Sequence, residues 1–96
     1  MKEGDNLKSL DRDKFIEIFG KINEFIEDEY EIETDSIKIW HWEDETFILN
    51  KETGFIVSWY KHLGRANWCN HEMSLYEYRQ FATDIMVEIN KWKEDL

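Results

Sequence analysis

This 96-residue sequence predicts a single α+β domain: the order α-β-β-β-α, with a three-stranded antiparallel meander packed with two helices. Three observations carry the prediction. Apolar residues recur at helical spacing near both ends of the chain. Between residues 36 and 61 they alternate, as in strands with two unlike faces. The breaks between the alternating runs are only three or four residues long, which suits hairpins and excludes parallel crossovers. Hydrophobic residues make up 42% and aromatic residues 16%, with five Trp, enough to fill one core at this length. The domain is expected to span 1–96, with the polar residues 1–9 flexible.

The first helix is expected over about Leu10 to Glu29, with Phe15, Phe19, Ile22 and Ile26 as its stripe. Ser9 or Asp11 is placed to cap it. Gly20 costs roughly 1 kcal/mol relative to Ala, a cost that close packing against the sheet would explain. Glu27, Asp28 and Glu29 sit at the negative pole of the helix dipole, where each loses a few tenths of a kcal/mol.

Ser36 to Trp42 reads as the first strand, Glu43–Glu45 as a turn and Thr46 to Asn50 as the second strand. Lys51–Gly54 reads as a hairpin loop with Gly54 left-handed, followed by a third strand from Phe55 to Lys61. Residues 62–73 are polar and irregular. Ser74 then opens the second helix through a capping box with Glu77, and Met73 with Tyr78 has the spacing of a hydrophobic staple. Leu75, Tyr78, Ala82, Ile85, Ile89 and Trp92 form its apolar face.

Alternation assigns Ile37, Ile39, Phe47, Leu49, Phe55, Val57 and Trp59 to one sheet face. Lys38, Trp40, Trp42, Ile48, Ile56, Ser58 and Tyr60 fall on the other. The second face is too apolar to be left to water. Either the helices divide between the faces, or Trp40, Trp42 and Tyr60 meet a partner or a second copy of the chain.

Charge is the strongest functional signal. The chain carries −10, and −9 of it lies between residues 24 and 45. There Glu24, Glu27, Asp28, Glu29, Glu31, Glu33, Asp35, Glu43, Asp44 and Glu45 are opposed only by Lys38. Such segregation creates a directed field, repels nucleic acid and anionic lipid, and attracts basic protein surfaces. Gathered along one edge, nine net charges would match about 15 Å of duplex, at one charge per roughly 1.7 Å. The expected partner is a protein with a basic nucleic-acid-binding surface, such as a nuclease. Arg65 and Trp68, in the loop 61–68, are residue types that anchor interfaces.

Other chemistry is thinly represented. His62, Cys69 and His71, with His41 as a fourth ligand, are the best zinc set, but Cys69 and His71 are too closely spaced for the usual pattern. Cys69 with His62 or His71 makes a thiol–base pair without an orienting third group. Neither metal, cofactor nor catalytic activity is expected. The lone cysteine fits a reducing cytoplasm, no apolar run approaches the roughly 18–20 residues of a membrane span, and Met1–Ser9 lacks the apolar core of a secretion signal.

In element order, size and acidity the chain resembles small phage-encoded anti-CRISPR proteins of the DNA-mimic kind. The resemblance is architectural and rests on no motif. It implies a cytoplasmic inhibitor that occupies the DNA-reading groove of an effector nuclease. An antitoxin, an immunity protein or a homodimeric adaptor using the aromatic sheet face is the alternative.

Overall fold

The computed structural model of the protein describes residues 6–26, 31–60 and 68–95. Asp11 caps the first helix, α1 (Arg12–Ile26), its carboxylate accepting from the Lys14 amide at 2.9 Å. Five strands follow: β1 (Ile32–Glu33), β2 (Ile37–Trp42), β3 (Glu45–Asn50), β4 (Ile56–Tyr60) and β5 (Trp68–Cys69). The chain closes with α2 (Leu75–Glu94). The sheet is antiparallel throughout, in the order β1-β2-β3-β4-β5. The α+β class therefore stands, and the three-stranded meander is extended at each edge by a two-residue strand.

The two hairpins of the central meander are set in different ways. The Asn50 carboxamide accepts from the Glu52 and Thr53 amides, and Gly54 closes the turn at φ +79°, the left-handed region expected of it. The β2–β3 loop holds only Glu43 and Asp44, with Glu43 at φ 57°, a region that costs a non-glycine residue roughly 1–2 kcal/mol. The loop is thus one residue shorter than the sequence reading has it. Trp42 pairs with Glu45 and Ile39 with Ile48. A one-residue change of register turns every β3 side chain over. Ile48 therefore lies on the inner face, fully buried, while Phe47 and Leu49 lie on the outer one, reversing the expected assignment.

The inner face carries an unbroken cross-strand row, Ile32–Ile39–Ile48–Val57–Cys69, all buried. Both helices cover this face. Phe15 and Phe19 of α1 meet Trp59 of β4 at ring centroid distances of 5.0 and 5.6 Å. The Trp59 indole N–H donates to the buried Asn23 carboxamide of α1 at 2.7 Å. Phe19 also meets Tyr78 and Phe81 of α2. The capping box forms as the sequence indicates, with Ser74 and Glu77 each accepting the other's amide. Of the expected flexible residues 1–9, Leu7 is tied by two backbone bonds to Met73, and its carbonyl accepts from the Tyr78 hydroxyl. Gly20 is not pressed against the sheet: a methyl group there would meet only Ile16 of its own helix, at 3.6 Å.

A candidate protein-binding face

With both helices on one side, no helix covers the outer side of the sheet among the described residues. Register sorts it into cross-strand rows. At the β2–β3 turn end lies Trp42–Glu45–Tyr60, next Trp40–Phe47–Ser58–Trp68, and then Glu33–Lys38–Leu49–Ile56. Trp42, Trp68 and Tyr60 are among the most exposed large apolar residues described, at 69%, 49% and 38%. Trp40 and Phe47 stack nearly parallel, centroids 5.2 Å apart, and the Lys38 ammonium sits 5.4 Å from the Trp40 ring centre. Ser58, in the middle row, is fully buried and donates to the Glu45 carboxylate at 2.8 Å, which draws that carboxylate from its own row toward Ser58. Trp40, Trp42 and Tyr60 thus share a face, as alternation indicates. Phe47, Leu49 and Trp68 join them. The signal for Phe47 and Leu49 was the loop length: only a two-residue loop sets Phe47 opposite Trp40.

The carboxylates form a margin rather than a ridge. Glu31 and Glu33 lie along the β1 edge, exposed; Asp35 lies in the bend before β2, and Glu43 and Asp44 at the opposite end of that strand. Six residues of β2 separate those ends, about 20 Å at roughly 3.3 Å per residue. Glu45 lies within the face. Glu24 is exposed on α1, in the other layer, so it does not join the rest. Glu27, Asp28, Glu29 and Arg65 lie outside the described residues. Glu33 is engaged: Lys51 reaches it at 2.9 Å, and Lys51 with Lys38 holds its carboxyl below the usual range.

The zinc and thiol candidates are dispersed. Cys69 is buried in the inner row, its thiol donating to the His71 carbonyl at 2.6 Å, and burial pushes that thiol up. The His71 ring stacks on Phe55. His41 lies three strands from Cys69 and bonds with Thr46 at 3.1 Å. His62 lies outside the described residues. Among those described, no three His, Cys, Asp or Glu side chains gather as a metal would require, and no helix is long and apolar enough to cross a membrane. An open groove between α1 and α2 is lined by Ile16, Gly20, Lys21, Met86 and Val87. Comparison with protein-family models, curated proteins and solved structures finds no match to this chain.

Proposed function

We propose that this chain is a small acidic inhibitor. It seats the outer face of its sheet against the cationic nucleic-acid groove of a host-defence nuclease, a CRISPR effector or similar, and so keeps the nucleic acid out. One observation carries the reading: aromatic side chains gather on one sheet face, half-buried Trp40 and Phe47 within it and exposed Trp42, Tyr60 and Trp68 toward its edges, with Glu31, Glu33, Asp35, Glu43 and Asp44 at its margin. That is the anatomy of a contact surface, with apolar anchors within and charge around them. The margin would stand where phosphates otherwise stand, against lysines and arginines of the partner. Rim charge mainly speeds encounter, and desolvated aromatic anchors mainly slow release.

The test is association kinetics with a partner captured at low ionic strength. Raising salt from about 50 to 200 mM should cut the on-rate steeply, as screening shortens the reach of the field to roughly 10 Å and below. Glu→Gln changes at 31, 43 and 44 should flatten that dependence, and Trp42→Ala should accelerate release. Binding indifferent to salt and to these carboxylates would end the mimic reading.

A second reading is supported by the same uncovered rows. The apolar run of Trp40, Phe47 and Trp68 beside Leu49 and Ile56 would also suit a homodimer joined sheet to sheet. Light scattering separates the two: a dimer that falls to monomer on Trp40→Ala/Trp42→Ala substitution favours the second reading, and a monomer in both forms removes it.

A further inference from the structure

We infer that the row Trp42–Glu45–Tyr60 is a receptor for one arginine side chain of the protein partner. The inference rests on the reading above and names the group on that partner which the face takes. Register places Glu45 directly between Trp42 and Tyr60 on three adjacent strands. Neighbouring strands lie about 4.8 Å apart, so the backbones of the two aromatic residues stand about 10 Å apart with that of Glu45 midway. A flat cation held over Glu45 lies about 5 Å from each ring, within the roughly 6 Å at which a ring face attracts a cation. Both rings are substantially exposed, and the Ser58 hydroxyl, donating at 2.8 Å from the next row, holds the carboxylate beside them.

The chain contains a partial precedent. Two residues earlier on the same face of β2, the Lys38 ammonium approaches Trp40 at 5.4 Å. Trp42 continues that face toward Glu43 and Asp44, both exposed beside the row. The charge of this end therefore selects a cation, and the two flanking rings select a planar one. A guanidinium satisfies both demands: it stacks between rings while its N–H groups meet the carboxylate, whereas a lysine ammonium is a strongly hydrated point charge. A phosphate, an acidic peptide or an anionic lipid surface is repelled at the same place.

The experiment follows the tryptophan indole N–H signals of ¹⁵N-labelled protein by NMR, while a capped Gly-Arg-Gly peptide, its citrulline counterpart and its lysine counterpart are added in turn. The arginine peptide should shift the Trp42 indole saturably. The citrulline peptide, equal in shape but uncharged, should bind about tenfold more weakly or less, and the lysine peptide should fall between them. Glu45→Gln keeps an oxygen for Ser58 and should weaken the arginine peptide about two- to fivefold. Tyr60→Phe keeps the ring and should bind as the wild type does, while Tyr60→Ala should not. Equal binding of arginine and citrulline peptides, an unaffected Glu45→Gln variant, or a response at Trp40 and Trp68 without one at Trp42 would overturn the inference. So would an unresponsive Trp42 in a protein that light scattering shows to be dimeric, since a second copy would then fill the row. Salt-sensitive capture of a basic enzyme, with a row indifferent to arginine, would sink this inference and leave the functional reading standing. Arginine binding at the row without such capture would do the reverse.

Discussion

Replacing Ile48 and Leu49 separately by alanine tests the β3 register, on which the identity of the binding face depends. The two substitutions delete the same three carbons from neighbouring positions. Ile48 is fully buried in the inner row, and Leu49 is half-buried on the outer face. Three buried methyl or methylene groups at about 0.8 kcal/mol each, with a partly relaxed cavity added, make Ile48→Ala cost about 3 kcal/mol. Leu49→Ala should cost about 1 kcal/mol, since part of its surface already meets water and no closed cavity forms. At roughly 4–8 °C per kcal/mol for a domain of this size, the midpoints should fall by about 12–24 °C and 4–8 °C respectively. Urea denaturation gives the same comparison without heating, provided the slope of the transition is unchanged. Equal costs, or a larger cost at Leu49, would place Phe47 and Leu49 in the core and refute the outer face as described.

Three further expectations follow from the packing. Asn23→Ala leaves the buried Trp59 indole N–H without its 2.7 Å acceptor, and should cost about 1–3 kcal/mol in chemical denaturation, whereas a loss below about 0.5 kcal/mol would mean that water replaces the carboxamide. Gly20→Ala should stabilise the protein by about 0.5–1 kcal/mol, because the added methyl makes only ordinary contact and the unfolded chain loses freedom; a lower melting temperature would contradict this. Burial raises both the Cys69 thiol and the Tyr78 hydroxyl from their ordinary values of 9.0 and 10.0. The folded state therefore holds these protons more tightly, so their contribution is complete below about pH 9 and declines as pH rises beyond it, and Cys69→Ala should soften the alkaline fall in denaturation midpoint.

Much of the fold could be read from local signals. The Ser74–Glu77 box, the Asn50–Gly54 turn and the two helical stripes are written in short-range chemistry that tertiary structure has no reason to override. Strands β1 and β5 are different in kind. Ile32–Glu33 lies in an acidic run and Trp68–Cys69 in a polar one, and each becomes a strand only because a longer neighbour offers its edge. No period can show in two residues. The β3 faces escape local signals for a related reason: Glu43, Asp44 and Glu45 are alike as loop residues, so composition cannot say whether the turn holds two or three. Pairing decides it, at the expense of a left-handed Glu43.

The site was legible to a similar depth. Alternation put Trp40, Trp42 and Tyr60 on one face, and segregated charge picked out Glu31, Glu33, Asp35, Glu43 and Asp44 near its margin. It was blind to layer, which sends Glu24 to the helical side, and to the Lys51 that engages Glu33 from a later hairpin. Trp68 reaches the face only through β5, so no local pattern could have added it.

Hydroxyl-radical footprinting of the chain alone and bound to its captured partner addresses the central claim most directly. The outer sheet face as contact surface requires protection of Trp42, Tyr60 and Trp68, with release of the partner by added duplex DNA. Protection of Ile16, Tyr76 and Val87, the exposed apolar residues on the helices, with the sheet aromatics unchanged, would contradict it.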